Sequence, residues 1–254
     1  LAGGDTYLNH WFDPNWAVQL DGNLRYYGPA EFETGSSWSS TEWAVGGHLA
    51  YRDPDQMALG VFGALTSYSS AYESDGFAFG QGAVGVLGVE AQAYLDDVTL
   101  YGQAGVALPG NQDINTLGDR WKEDGTHMFV RGVVRYFPED NIRLSAEGML
   151  ALGTVTHFGF SASDPPSESA DSAILTGRLE AAYRPDESEL SYFAAVEGVH
   201  NQQTFADITR SQTQFRAMAG LRFDLGAETL KSRDREGVTF DLPRLADVLG
   251  VGNQ

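Results

Sequence analysis

The stretch from residue 42 to residue 56 reads EWAVGGHLAYRDPDQ, an alternating segment that ends in a cluster of turn residues. Large apolar residues such as Trp43 and Leu49 share one face, whereas Glu42 and Arg52 share the other. Alternation with a period of two predicts a β-strand, and Asp and Pro close together predict a tight turn. This stretch therefore predicts a strand with one apolar face that leads into a hairpin.

The strand-and-turn pattern repeats along the chain. An aromatic residue followed by acidic turn residues recurs as YLDD from Tyr94, YFPED from Tyr136 and YRPDE from Tyr183, and a degenerate copy, RFDLG, surrounds Phe223. A repeated hairpin predicts an antiparallel sheet in which consecutive strands are neighbours. The alternation gives candidate strands at residues 14–27, 42–52, 57–66, 78–95, 97–108, 126–137, 142–157, 174–184, 190–200 and 214–225.

The candidate strands have the length and polarity of strands that cross a membrane. Most have about ten residues or more, which suits a tilted strand in a bilayer, whereas strands of soluble sheets are usually shorter. All strand arginines lie on the face opposite the large apolar residues, which keeps them away from lipid. A soluble sandwich with its apolar face inward is the alternative explanation. The arginines are Arg25, Arg52, Arg131, Arg135, Arg143, Arg178, Arg184, Arg216 and Arg222.

Short acidic turns alternate with long polar links. This asymmetry, with Phe223 at the end of the last strand, resembles the Gram-negative outer-membrane β-barrels. The resemblance implies an outer-membrane location, short periplasmic turns, long extracellular loops, and contact with outer-membrane lipid and lipopolysaccharide. The expected fold is all-β, a transmembrane antiparallel up-and-down barrel of about ten strands over residues 14–225. The long links are predicted at residues 28–41, 67–77, 109–125, 158–172 and 201–213.

The two ends of the chain are expected to lie outside the barrel wall. Residues 1–13 contain the strand-like stretch TYLNHWF, but a first barrel strand there would put the amino terminus outside the cell. We therefore interpret residues 1–13 as a periplasmic lead-in or a plug of the lumen. In residues 226–254 a charged stretch precedes Leu242, Leu245 and Leu249, which follow a helical spacing. We interpret this end as a periplasmic linker followed by a short amphipathic segment that docks on a periplasmic partner. A disordered tail and a segment folded back over the periplasmic mouth are the alternatives.

One end of the apolar face carries a row of aromatic residues. Tyr51, Tyr136, Tyr183 and Phe223 each precede a predicted turn or end the last strand. Amphipathic rings at one level are typical of the aromatic girdle at a membrane interface. Tyr94 has the opposite parity and is expected on the polar face, which indicates a bulge or an error of one residue in this strand.

The polar face is expected to line a narrow, largely occluded lumen. A barrel of about ten strands is only slightly wider than the eight-stranded kind, whose interior side chains fill it. Counting from the short turns places oppositely charged residues at similar heights, so they can form a ring of ion pairs. The ring is either structural or the selectivity constriction of a small pore. Its predicted members are Asp21, Arg131, Glu147, Arg178, Glu180, Glu197 and Arg216.

Composition and motifs exclude several functions. A formal net charge of −19 argues against a nucleic-acid partner. The absence of cysteine excludes disulfides and thiol catalysis. His127, His157 and His200 fall at outer strand ends, where a hydrolase could place catalytic groups, but no catalytic motif accompanies them. We therefore expect no enzymatic activity, no cofactor and no metal.

The leading interpretation is a non-catalytic outer-membrane barrel with a structural or adaptor role. Its tail would meet a periplasmic or outer-membrane protein partner. A narrow, porin-like passive channel for ions or small solutes is the first alternative. An outer-membrane hydrolase with a histidine-containing extracellular rim is the second.

Overall fold

The computed structural model describes residues 2–31, 37–73, 77–109, 112–116, 119–159, 168–205, 208–223, 228–237 and 239–244. Within these ranges, strands and one short helix make up the regular structure. The elements are β1 (Ala2–Trp11), β2 (Trp16–Glu31), β3 (Ser37–Asp53), β4 (Met57–Glu73), β5 (Phe77–Leu95), β6 (Val98–Pro109), β7 (Gln112–Thr116), β8 (Asp119–Glu139), β9 (Ile142–Gly159), β10 (Glu168–Tyr183), β11 (Leu190–Phe205), β12 (Ile208–Phe223) and α1 (Leu230–Glu236).

All strands belong to one antiparallel sheet. Its main path follows chain order from β1 to β12 and omits only β7, which pairs beside the path with β5 and β8. The sheet curls into a half-barrel, with β1 and β12 as its edge strands. The predicted all-β, antiparallel, up-and-down class is therefore confirmed. No helix in the part of the chain that the structure describes is long and apolar enough to cross a membrane.

The main path has eleven strands and not the ten expected, because the beginning of the chain is also a strand. β1 pairs with β2 from Ala2 opposite Tyr26 to Trp11 opposite Ala17. A turn over residues 12–15 joins them, and the Phe12 amide donates to the Trp16 carbonyl at 3.2 Å. The interpretation of residues 1–13 as an unpaired lead-in or plug is thus wrong for residues 2–11. The stretch has the pattern of a strand, and only the expected side of the amino terminus argued against one.

The predicted long links are mostly continuations of strands. β4 reaches Glu73 and β8 already begins at Asp119, each seven residues beyond the predicted strand, and β7 lies within the link predicted at residues 109–125. These extensions were read as loops because they are rich in Ser, Thr and Gln and lack an apolar face. On this side the neighbouring strands β2 and β3, β4 and β5, β9 and β10, and β11 and β12 are separated in the chain by residues outside the described ranges. We call it the long-link side, and the opposite edge, with turns such as 54–56 and 96–97, the short-turn side.

The two faces of the sheet differ sharply in polarity. Every main-path strand from β2 to β12 exposes large apolar side chains on the outer face, for example Leu179 and Met128 at 60% and 69% exposure. The inner face buries charged residues, among them Arg52 and Arg135. Tyr94 is also buried there, as its parity predicts. The strand alternation therefore places the two faces correctly.

The inner face is not polar throughout. A cluster of buried apolar side chains occupies the part toward the long-link side, beyond the charged residues. His48, directly opposite Phe62 in the β3–β4 ladder, stacks on it with ring centroids 5.7 Å apart. The sequence predicts a polar lumen and does not predict this apolar cluster. Its members are Phe62, Val84, Val86, Ala107, Phe129, Met149, Ala151, Ile174 and Val199.

Candidate functional site

The end of the described chain folds onto the inner face of the sheet. We call residues 228–237 and 239–244 the tail. In it, the Thr229 hydroxyl accepts from the Ser232 amide at 3.0 Å, and the Ser232 hydroxyl accepts from the Thr229 amide at 2.9 Å. This reciprocal cap gives amides at the start of α1 the partners they lack inside a helix. Part of the expected charged linker is thus an ordered helix.

The exposed side of α1 forms ion pairs and a hydrogen bond with residues of the short turns. The Lys231 ammonium lies 2.8 Å from the Asp97 carboxylate and 3.5 Å from that of Asp140. The hydrogen bond and charge of Lys231 lower the pKa of the Asp97 carboxyl. The Arg235 guanidinium donates to the carbonyl of Asp96. Because these pairs are exposed, they guide the position of the helix more than they stabilise it.

The inward side of α1 is anchored by burial. Leu230 is 1% exposed and packs with Phe137 and Ala182. Asp234, also buried, accepts from Arg135 Nη1 at 2.5 Å and from the Thr99 hydroxyl at 2.7 Å. A buried carboxylate needs such partners because it has lost its water. The helix is therefore part of the interior and does not project from it.

After α1 the tail runs extended along the inner face, where glutamine side chains bind its backbone. Gln19 donates to the Phe240 carbonyl at 2.7 Å and accepts from the amides of Thr239 and Phe240 at 3.2 and 3.3 Å. Gln92 donates to the Thr239 carbonyl at 3.2 Å, and Gln103 donates to the Asp241 carbonyl at 3.0 Å. These contacts satisfy the polar backbone of a segment that has no strand neighbour to pair with.

The ring of Phe240 occupies an aromatic and cationic pocket. It stacks on His48 at a centroid distance of 5.4 Å and an interplanar angle of 14°. Tyr101 contacts it edge-on at 6.1 Å, and the Arg52 guanidinium lies over it at 5.4 Å. Arg52 also donates to the Gly237 carbonyl at 2.8 Å. The pocket leaves Phe240 only 1% exposed.

The next residue, Asp241, is held by two arginines. Its carboxylate lies 2.5 Å from Arg135 and 3.8 Å from Arg131. Burial by itself raises the pKa of this carboxyl, but the guanidiniums of Arg135 and Arg131 outweigh that effect. The pKa of Asp241 therefore lies well below the usual range of an aspartate, and the side chain stays charged at neutral pH.

The last two described contacts of the tail complete its path. Leu242 packs against Gly46, where an added Cβ would come within 2.7 Å of the leucine side chain. Arg244 lies 3.0 Å from Glu197 on β11. Leu242 thus packs on the inner face of the sheet, and its predicted docking on a partner stays a prediction. Leu245 and Leu249, the other predicted docking residues, lie outside the described residues.

A histidine between two carboxylates lies behind Phe240 on the inner face. We call the inner-face side chains of the strands around the tail the wall. His48 Nε2 lies 3.0 Å from Asp21 and Nδ1 lies 2.8 Å from Glu90. Asp21 also accepts from Gln19 at 2.6 Å, and Glu90 accepts from Tyr101 at 2.7 Å. Asp21 is a predicted member of the charge ring, but in the structure its carboxylate contacts His48.

The other predicted ring residues do come together. Arg131 forms a two-point contact with Glu147, at 2.7 and 2.8 Å. Arg178 lies 2.5 Å from Glu180 and 3.3 Å from Glu197. Such paired contacts let buried charges keep their hydrogen bonds away from bulk water. Glu197 in turn lies 3.9 Å from Arg216.

Glu180 is the most heavily bound carboxylate of this wall. Besides Arg178, it accepts from Arg143 at 2.7 Å and from Arg222 at 2.7 and 3.0 Å. Both additional arginines were assigned to the inner face by parity but were left out of the ring. Their heights along the strands differ from that of Glu180, and long side chains bridge the difference. Counting heights from the turns therefore missed them.

Little space remains around the tail. A cavity of about 80 Å³ lies between the tail and the wall. It is lined by residues from both edge strands, including Tyr7 of β1 and Arg222 of β12. A buried water needs about 10 to 15 Å³ by this measure, so the cavity has room for a few waters.

The predicted girdle residues lie on the outer face at the short-turn side. Tyr136, Tyr183 and Phe223 are exposed, and Tyr51 is half-buried because its ring packs edge-on against Trp16 at 5.8 Å. Tyr183 lies directly opposite Tyr192 in the β10–β11 ladder. The structure therefore places these aromatic residues along one rim of the outer face.

The two rim histidines whose side chains the structure describes have different surroundings. His127 is buried on the inner face, and its ring nitrogens have no hydrogen-bond partner among the described residues. His200 bonds to the Thr213 hydroxyl at 2.8 Å. The side chain of His157 lies outside the described residues. Across the described ranges, no group of three or more His, Asp or Glu side chains is placed to hold a metal ion.

Comparisons with known proteins do not assign the chain to a family. No protein-family model matches it, and no similar protein is found among curated proteins. The polarity of the two faces and the contacts of the tail are therefore the features from which we infer a function.

Proposed function

We propose that this chain is a non-catalytic integral β-barrel protein of the outer membrane, with a structural role and an interior filled by its own tail. The observation that carries the proposal is the inverted polarity of the sheet. Leu179 and Met128 are among many large apolar residues that the outer face exposes, whereas Glu180 and Arg178 beside them are buried. A soluble domain of this size rarely leaves so extensive an apolar surface exposed, whereas lipid would cover it.

Strand length and the aromatic rim support the same proposal. β10 and β11 each have 16 residues, longer than the strands typical of soluble sheets. The aromatic residues at the short-turn side, such as Tyr183 and Phe223, are of the kind that anchors a barrel at the membrane interface. In this proposal the outer face contacts outer-membrane lipid and lipopolysaccharide.

The packing of the interior favours an occluded barrel over a channel. The tail, the ion pairs and the apolar cluster occupy the space that a pore would need. One observation favours a channel as the second candidate: arginines outnumber carboxylates in the lining of the cavity. A pore with such a lining would attract anions once the tail had left.

Two measurements on the refolded full chain test this proposal. With lipid vesicles, we expect the protein to float with the vesicles and to resist an alkaline wash. Recovery as a soluble monomer without detergent would overturn the membrane assignment. In planar bilayers we expect no conductance above that of the bare membrane. Anion-selective current steps would favour the channel and reject the occluded barrel.

A further inference from the structure

The inner face binds the tail in the way a receptor binds a peptide. Its side chains contact main-chain groups of four tail positions, Gly237 and residues 239–241. Arg52 and Asn9 donate to the Gly237 carbonyl at 2.8 and 3.3 Å, and Arg135 donates to the Thr239 carbonyl at 2.9 Å. The glutamines described above bind the remaining groups. Main-chain contacts give affinity for an extended peptide of almost any sequence.

Two side-chain positions add selectivity. The ring of Phe240 enters the pocket formed by His48, Tyr101 and Arg52. The carboxylate of the following residue meets Arg135. An aromatic anchor in a desolvated pocket beside a charge-assisted contact is the arrangement found at binding hot spots. The recognised chemistry is an aromatic residue followed directly by an acidic one.

The binding residues are held in place by the wall as well as by the tail. Gln19 is fixed by Asp21 at 2.6 Å. Gln103 donates to Glu90 at 3.0 Å and accepts from Arg131 at 2.8 Å. A site whose side chains are positioned by their own partners loses less entropy on binding. The positions of these two glutamines therefore do not depend on the tail alone.

We propose that the inner face at the short-turn side is a binding site for an extended peptide of another polypeptide, with an aromatic residue followed by an acidic one, and that the tail is its occupant in cis. This goes beyond the structural role proposed above. The connection to β12 keeps the tail at a high effective concentration, so a peptide in trans has to compete with it. A chain with a weakened tail contact should therefore bind the peptide best.

The test uses the full chain in detergent, with Phe240→Ala and Asp241→Ala combined to weaken the tail. The probe is a fluorescent peptide with the sequence of residues 237–244, GVTFDLPR, followed by fluorescence anisotropy. We expect saturable binding to the variant that is about tenfold or more tighter than to the unaltered chain. Peptides in which the phenylalanine is alanine or the aspartate is asparagine should each bind about tenfold more weakly.

Substitutions of glutamines on the strands and a chain with a cleavable tail provide the controls. Gln19→Leu in the weakened-tail chain should remove binding, whereas the exposed Gln202→Leu should not. If the weakened-tail chain does not fold, a protease site inserted at residues 224–228 lets the intact chain fold first and the tail be cut afterwards. The labelled peptide should then exchange with the cut tail. A folded weakened-tail chain without saturable binding, or a cut tail that never exchanges, would show that the tail is only part of the core.

Discussion

A single amide side chain, Gln19, binds both main-chain groups of Phe240. Its Nε2 donates to the Phe240 carbonyl at 2.7 Å, and its Oε1 accepts from the Phe240 amide at 3.3 Å. Gln19 lies on β2, more than two hundred residues earlier in the sequence, and is 1% exposed. The contact replaces the two hydrogen bonds that a neighbouring strand would supply. It connects the first hairpin of the sheet to the end of the chain.

Replacing Gln19 with leucine should therefore loosen the tail. The change leaves buried main-chain groups of Phe240 without partners, at a cost of about 1 to 3 kcal/mol in the free energy of unfolding. Gln202→Leu, on an exposed side chain of β11, is the control and should change it by less than about 0.5 kcal/mol. Denaturant unfolding measures both. Equal values would mean that water replaces the glutamine.

The sequence predicts the sheet well because its information is local. Alternation in residues 42–52 and the acidic turns identify the hairpins, and parity alone places Tyr94 on the inner face. β1 was excluded because a first barrel strand would put the amino terminus outside the cell, although the stretch TYLNHWF is strand-like. The extensions toward the long-link side were missed because their polar residues on both faces resemble those of loops.

The interior was less predictable because its contacts are distant in sequence. Counting heights along neighbouring strands brought Arg178 and Glu197 together correctly. It could not find the partner of Arg135, because Asp234 and Asp241 belong to the tail. Their charges suggested a solvated linker, although the same charges neutralise the arginines of the wall. The one local signal was Thr229 followed three residues later by Ser232, which is compatible with a helix cap.

The ion-pair cluster around Glu180 gives a second prediction. Glu180→Gln removes the charge that Arg143, Arg178 and Arg222 share. Arg143 and Arg222 lose the carboxylate that they contact, whereas Arg178 keeps Glu197. Breaking such a buried cluster should lower the free energy of unfolding by about 3 to 5 kcal/mol. Glu189→Gln, in the exposed turn before β11, should change it by less than about 0.5 kcal/mol. A small effect at Glu180 would indicate that water solvates the cluster.

The charge of Asp241 makes the tail contact sensitive to acid. The folded pKa of this carboxyl is lowered, so its contribution is complete above the usual aspartate pKa and is lost as the pH falls through the folded value. Tail release should therefore increase below about pH 4 and become complete only in strong acid. Limited proteolysis of the tail between neutral and strongly acidic pH, with an acid-stable protease, measures this release.

Asp241→Asn provides the matched control, because its side chain does not titrate. It should release the tail more readily at neutral pH and should lack the part of the acid response that Asp241 supplies. Other carboxylates also titrate in this range, so the difference between the two chains is the relevant quantity. Identical acid responses in both chains would mean that Asp241 does not hold the tail.

The outer face gives the last prediction, which concerns the membrane itself. Leu179 is 60% exposed near the middle of the apolar part of β10, whereas Tyr183 is at the end of that strand. Arginine at the middle of a bilayer costs a barrel about 2 to 4 kcal/mol, and this cost falls to about 0 to 1 near the interface. Leu179→Arg should therefore lower the stability of the vesicle-inserted protein much more than Tyr183→Arg. Folding titrations in lipid vesicles measure both.

In a water-exposed sheet, neither arginine would meet lipid, and both changes would be nearly neutral. A clear difference in vesicles that disappears when the same variants are compared in water would assign the apolar face to lipid, and equal effects in vesicles would contradict that assignment.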